Sequence, residues 1–240
     1  MYHGKFVSVI LATYREKNSI RKVIEDFFKT GFVDEVIVVN NNSEEGTLEE
    51  VKKTKARIIT ENKQGYGIAY QTGIKNAKGD YVILCEPDGT YVPEDIEKFL
   101  VYAKKDFEVV FGSRTAGSAP FSNSPMNFWR KYPNVLEAKT IELLFNSNSL
   151  TDIGCTCKLL TRKAINKLSK LWKVKNSLFA TELILLTVTQ GLKFAEIPIT
   201  FKKRVGRSSL TGKWHELALW GIRIQFYIIK FFIRNTISNL

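Results

Sequence analysis

The chain has 240 residues, 44% of them apolar and 25% charged, enough for one large α/β domain or one domain with a small appendage. With 36 Lys and Arg against 24 Asp and Glu, its formal charge of +12 favours an anionic partner: nucleic acid, a phosphorylated small molecule or an acidic membrane surface. Three Cys exclude a disulfide framework, and the Cys155-Thr156-Cys157 pair lacks zinc-site spacing, so these read as small strand residues in a reducing compartment.

The first residues, MYHGKFVSVILATYRE, do not read as a signal peptide. Residues 6–12 form an apolar run of strand length, closed by the polar turn TYREKN. Ile20, Val23, Ile24, Phe27 and Phe28 then recur at helical spacing until Gly31. A second strand over 35–39 stops at Asn40, Asn41, Asn42 and Ser43, a turn-rich cluster. A short helix over 47–53, a strand over 57–60, a helix over 65–77 and a strand over 81–85 follow. Pro93, Glu94 and Asp95 supply a helical first turn ahead of a strand over 109–111. This alternation predicts a mostly parallel sheet covered on both faces. The polar clusters TYRE, NNNS, ENKQG, EPDG and GSR all fall at carboxyl ends of strands, the rim where such sheets bind ligands.

After Arg114 the segment TAGSAPFSNSPMN reads as a long loop of the lid or acceptor-binding kind. A helix over 128–145, a strand in TDIGCTCKLL and helices over 162–168 and 178–190 come next. A strand within FAEIPITF leads to the basic loop KKRVGRSSLTGK and a last helix from Trp214 to about Arg234. The expected division is one domain over 1–212 and an amphipathic helix over 213–240.

In EPDG, Glu86 and Asp88 stand two apart on extended backbone, so both carboxylates can share one face. Such a pair can hold a hard cation against a diphosphate, or form a solvated turn aided by Pro87 and Gly89. Taken in order, ATYREKNSI, VIVVNNNSEEGT, ENKQGYGIAY, AKGDYVILCEPDGTYVPEDI, VVFGSR, TDIGCTCKLLTRKAI and EIPITFKKRVGRSSL resemble the segments of family-2 glycosyltransferases. Within that family the chain resembles the dolichyl- and polyprenyl-phosphate sugar transferases, over nearly everything from residue 6 to about 210.

The resemblance implies the GT-A nucleotide-sugar fold, an α/β architecture with a mostly parallel central sheet. It also implies a nucleoside-diphosphate sugar donor, Mg2+ or Mn2+, inversion at the sugar carbon and a lipid-phosphate acceptor at the cytoplasmic face of a membrane. It puts the metal on Asp88 and Glu86, the latter in place of the more usual Asp. It puts the donor at Thr13, Tyr14, Glu16, Asn40, Lys63 and Gly65, together with the acidic pair. Tyr14 either stacks on the base or packs on a helix. Asn40 replaces a usual Asp; an amide suits a uracil edge better than guanine's two adjacent donors, which tilts the donor toward uridine. Arg114, Arg204, Arg207 and Ser209 fall in matching phosphate- or acceptor-binding segments, with Ser209 where a Lys is usual, and Arg130, near the start of the following helix, is a further candidate for holding phosphate. Arg114 and Asp152 join Asp88 as catalytic candidates. Asp152 faces the acceptor, as base for a hydroxyl or as an orienting group for a phosphate that needs no base.

The last helix is apolar but broken by Glu216, Arg223, Lys230 and Arg234, so it is too short in uncharged length to span a bilayer. It suits either an interface-lying helix on an anionic membrane or a packing or dimer element in a homo-oligomer. Three other functions stay in view. Transfer to a saccharide or peptide hydroxyl would need Asp152 as base. A sugar nucleotidyltransferase would need a Gly-rich triphosphate loop followed by Lys, which is missing. A nucleic-acid binder would need a recognised reading module, and none is present.

Overall fold

The computed structural model describes residues 1–116, 128–206 and 214–237, with the side chains of 128–130 and 214–215 outside that description. Most of the loop read over 115–127, together with Arg207 and Ser209, lies outside the described residues, as does the side chain of Arg130.

Chain order is β1 (Val7–Thr13), α1 (Ile20–Lys29), β2 (Glu35–Asn40), α2 (Thr47–Lys52), β3 (Arg57–Thr60), α3 (Tyr66–Asn76), β4 (Tyr81–Cys85), α4 (Ile96–Lys104) and β5 (Val109–Ser113). Then come α5 (Phe128–Phe145), β6 (Lys158–Thr161), α6 (Arg162–Leu168), α7 (Phe179–Thr189), β7 (Phe194–Pro198) and α8 (Trp214–Ile237). The strands form one sheet in the order β3-β2-β1-β4-β6-β5-β7. It is parallel except for β6, which runs antiparallel to both β4 and β5.

Alternate residues of each strand feed opposite cores, as a sheet covered on both faces requires. Ile10, Ile37, Val39, Leu84 and Phe111 pack with α3, α5, α6, α7 and α8. Val9, Leu11, Val38, Ile83 and Val110 pack with α1 and α4. Helix α3 comes close enough to the sheet that a Cβ on Gly73 would stand 2.3 Å from Ile10 Cγ2, so only glycine fits there.

The register aligns the strand ends that matter. Thr13 pairs with Asn40 across β1 and β2, and Leu11 pairs with Cys85 across β1 and β4. The order reverses at β1, which opens a crevice beyond its carboxyl end and that of β4. Because β6 is antiparallel, its N-terminal end lies at that same rim and delivers residues 151–157 to it. Beyond β7, Phe201 bridges to Tyr91, Lys202 N–H donates to Thr90 O and Val205 N–H donates to Asp88 O. The basic loop is thus held along the acidic bend by main-chain hydrogen bonds.

Two expectations change in detail. Only the last three residues of TDIGCTCKLL belong to a strand, Lys158–Thr161. The backbone ahead of it hydrogen-bonds to side chains instead: Thr151 and Asp152 N–H donate to Glu196, and Thr156 N–H to the Tyr91 hydroxyl. The three cysteines are buried free thiols, Cys155 and Cys157 in this irregular segment and Cys85 in β4. Helix α8 runs beyond Arg234 to Ile237, and its inner face buries Ile224 and Ile228 in the main core while its outer face stays open.

Candidate active site

A cavity of about 760 Å3 opens at the strand reversal. Its walls come from the turns after β1, β4 and β5, from the N-terminus of α3 and from the basic loop, with Asn41 from the turn after β2. Helices α5, α7 and α8 close its other end.

At its floor Asp88 is 1% exposed. Its Oδ1 accepts the Thr90 N–H (2.9 Å) and hydroxyl (2.6 Å), which fixes the turn. Its Oδ2 is ion-paired with Arg204 Nη2 at 2.6 Å. Glu86 Oε1 accepts the Thr156 hydroxyl (2.9 Å), and its Oε2 accepts from Arg204 Nη2 at 3.3 Å. Burial, then repulsion from Asp88, pushes Glu86 up to about 7 despite Arg204. Two neighbouring buried carboxylates that share one guanidinium repel each other, and a divalent cation would relieve that repulsion. Among the described residues no group of three or more His, Cys, Asp or Glu is arranged to hold a metal. The two carboxylates could offer hard oxygen ligands to a cation. That suits Mg2+ or Mn2+ and not zinc.

Arg114 and Asp152 are locked together. Asp152, fully buried, accepts from Arg114 Nε (2.7 Å), Nη2 (2.8 Å) and backbone N–H (2.9 Å). Burial pushes the Asp152 carboxyl up, but the Arg114 charge and hydrogen bonds outweigh it and hold the group below its ordinary range. Arg114 lines the cavity and stacks 5.2 Å from the Phe201 ring; Asp152 is not on the cavity wall. Asp152 is placed to aim Arg114, and its oxygens are taken up in doing so.

The donor-side candidates divide. Thr13, Tyr14 and Glu16 line the cavity. Glu16 Oε2 accepts the Thr13 hydroxyl and the N–H groups of Tyr14 and Arg15, so it shapes the turn that presents Tyr14. Tyr14 is half open, with the Arg15 guanidinium 5.0 Å from its ring. Asn40 spends its carbonyl on Ser43 and lies off the cavity wall. Its neighbour Asn41 lines the cavity, but donates to Glu61 O and Lys63 O and accepts from Gly65 N–H. Lys63 and Gly65 act through backbone contacts with Asn41 and form no part of the wall. A Cβ on Gly65 would sit 2.5 Å from Lys175 O, which is what its glycine answers to.

Sequence reading missed Tyr66, Thr156 and Glu137. Tyr66 donates to Thr156 Oγ1 (2.8 Å), and Thr156 donates to Glu86, a short relay from α3 to the acidic pair. Lys203 lines the mouth. Glu137 on α5 is 3% exposed and faces the far end of the cavity. Its signal was readable: it falls on the buried stripe of Ala138 and Ile141, where a carboxylate is out of place.

A doubly wound sheet with a cavity of carboxylates and arginines at its reversal point is where such folds bind their ligands. Residues 8–169 match the family described as Glycosyl transferase family 2, and the chain belongs to it. It is 25% identical over 204 residues to a dolichyl-phosphate hexose transferase of Haloferax volcanii, covering 85% of this chain and 86% of that one. It is 27% identical over 215 residues to a low-salt glycan biosynthesis hexosyltransferase of the same organism, covering 85% of this chain and 49% of the other. Glucosyl-3-phosphoglycerate synthase from Mycobacterium tuberculosis, solved with Mn2+, uridine diphosphate and phosphoglyceric acid, has the same fold. The match has a TM-score of 0.73 at 16% identity, over 96% of this chain and 79% of that chain. The protein is a glycosyltransferase of GT-A fold.

Proposed function

We propose that the protein moves a sugar from a nucleoside diphosphate to a polyprenyl or dolichyl phosphate, with inversion at the sugar carbon. The observation that carries this reading is the pair Asp88 and Glu86, brought together at the cavity floor and sharing the Arg204 guanidinium. Asp88 and Glu86 would hold Mg2+ or Mn2+, which when bound neutralises charge collecting on the departing diphosphate. The remaining work falls to side chains. Tyr14 offers a ring to the base, Arg204 and Lys203 stand over the phosphates, and Arg114 meets the acceptor side in a fixed orientation. An acceptor phosphate oxygen attacks the sugar carbon as the bond to the diphosphate breaks, and the electron pair leaves with the diphosphate. Alignment and charge stabilisation supply the rate.

Asp152 favours phosphate over hydroxyl as the acceptor. A hydroxyl needs a base, whereas this carboxylate is engaged with Arg114 and held below its ordinary range. The name of the Haloferax volcanii relative supports the same acceptor. The carbonyls of Asn40 and Asn41 are engaged inside the protein, so the uridine preference rests on amide chemistry alone and guanosine belongs in the same screen.

The outer face of α5 and α8 bears on where the reaction occurs. Leu219, Ile222, Phe226, Ile229 and Ile233 repeat at helical spacing and are all exposed, as is Leu143 of α5. No helix among the described residues is long and apolar enough to cross a membrane. With Arg223, Lys230 and Arg234 on the same helix and a chain charge of +12, this face suits the anionic cytoplasmic leaflet.

The test is a screen of uridine and guanosine diphosphate sugars with Mn2+, with and without polyprenyl phosphate, following nucleoside diphosphate release and glycolipid formation. Glycolipid should form only with the lipid phosphate, and Asp88→Ala should abolish it while the fold persists. Near-normal transfer by Asp88→Ala, or turnover undiminished by chelation, removes the central assignment.

A further inference from the structure

The end of the cavity away from Tyr14 is not explained by a nucleotide donor. Helix α5 contributes Pro133, Asn134 and Glu137, α7 contributes Ala180 and Thr181, and α8 contributes Trp220, Gly221 and Ile224. These walls are mainly apolar, and the helices that form them carry the exposed apolar face on their outside. Among the described residues no hydrogen bond or ion pair reaches the Glu137 carboxyl, although Glu137 is 3% exposed. Its Oε1 would lie 3.3 Å from a Cβ on Gly221, so that glycine leaves it room against α8. One turn earlier on α5, Asn134 Oδ1 accepts the Gly154 N–H, and a Cβ on Gly154 would lie 3.0 Å from Arg114 Nη2. Glu137 and Arg114 therefore border the same arm.

We propose that Glu137 is an acceptor-binding residue: as a neutral carboxyl it donates a hydrogen bond to the acceptor's phosphate while Arg114 neutralises that phosphate's charge. This deepens the proposed function and rests on its phosphate acceptor. A carboxyl that has no partner among the described residues and opens on the apolar end of a cavity is free to bond a ligand entering there. A carboxylate would repel a phosphate, whereas the protonated form has an O–H to give.

The surroundings keep Glu137 protonated. Burial, then the negative charge of Asp152, pushes it up to about 8. The loop ahead of β6 presents Asp152 together with its bound Arg114, while α7 and α8 bring Ala180, Thr181, Trp220, Gly221 and Ile224 to the arm. Below about pH 8 the group donates; above it, a carboxylate faces the acceptor and binding weakens.

The experiment measures the Michaelis constants for polyprenyl phosphate and for the nucleotide sugar separately, from pH 6.5 to 9.5, in wild type, Glu137→Gln and Glu137→Leu. Glu137→Leu should raise the acceptor constant about 10- to 100-fold, the range for a hydrogen bond to a charged group, and leave the donor constant unchanged. Glu137→Gln keeps an N–H donor and cannot ionise, so it should restore acceptor binding and remove the wild-type decline above pH 8. If Glu137→Leu fails to fold, the pH profile of Glu137→Gln still decides. An unchanged acceptor constant in Glu137→Leu, or the same alkaline decline in Glu137→Gln, overturns the assignment. Loss of turnover at every pH in Glu137→Gln, with acceptor and donor binding intact, does so too, since it marks a carboxylate needed for the chemical step and not for holding the acceptor. A wild-type chain that makes no glycolipid from any lipid phosphate fails earlier, and removes the acceptor class and this role together.

Discussion

Replacing Asp152 by Asn tests whether this carboxylate is a base or the holder of Arg114. The native pair is buried, with the Arg114 side chain 14% exposed, and three donors converge on the two oxygens. An Asn amide accepts at one oxygen and turns an NH2 toward a guanidinium N–H, so the arginine is left buried without its counter-charge. Breaking a buried pair in this way costs about 3–5 kcal/mol. For a chain of this length that lowers the melting midpoint by roughly 6–20 °C. The lower end is favoured, because Arg114 borders the open cavity and can turn toward water. The sign with pH follows from the depressed carboxyl: the native contribution is present above the ordinary Asp value of 3.8 and is lost as acid protonates the folded group. The gap between wild type and Asp152→Asn, read by circular dichroism melts, should therefore be full at pH 7 and shrink below about pH 4. The apolar pair Arg114→Met with Asp152→Leu should recover most of the stability while transfer stays lost. An Asp152→Asn midpoint within about 1 °C of wild type would refute the pairing argument. So would full transfer by the apolar pair.

Removing the Arg204 guanidinium with Arg204→Gln should tighten Mn2+ binding to the donor-free protein roughly fivefold, the value of about 1 kcal/mol for a part-exposed ion pair. Calorimetry showing unchanged or weaker Mn2+ binding would contradict the competition implied by its 2.6 Å approach to Asp88. The Glu137 carboxyl, raised from 4.5 to about 8, favours the fold when protonated, so its contribution is complete below pH 4.5 and is lost as pH rises through 8. Urea titrations should show wild type losing stability between pH 5 and 8.5, by an amount on the order of 4 kcal/mol, that Glu137→Gln does not lose; parallel curves would count against a buried neutral carboxyl. Phe226→Glu should reduce sedimentation with vesicles containing anionic lipid by about 10-fold or more, since it removes a large apolar contact and adds a like charge. Equal binding would exclude this face as the contact.

The sheet, its rim and the acidic bend were legible because they are local. Alternating apolar runs and turn clusters specify strands and their carboxyl ends, and Glu86 and Asp88 share a bend whatever surrounds them. The donor-side readings were weaker for a physical reason. Asn40, Lys63 and Gly65 match a binding motif in order, but the Asn40 carbonyl is spent on Ser43, and Lys63 and Gly65 meet Asn41 through their backbone, off the cavity wall. Sequence order does not show how such groups are satisfied.

Everything that needs distant segments to meet was decided by tertiary structure. The antiparallel insertion of β6 brings Thr156 to Glu86 and Asp152 to Arg114, and main-chain pairing beside residues 88–91 brings Arg204 across 118 positions to Glu86. Glu137 acquires its raised carboxyl because α5 is closed over by α8 and lies near Asp152. Residue type and spacing establish which faces are apolar and where the chain turns. Strand order and helix docking set the desolvation and the charges each carboxylate feels, and those depend on neighbours that no local pattern names.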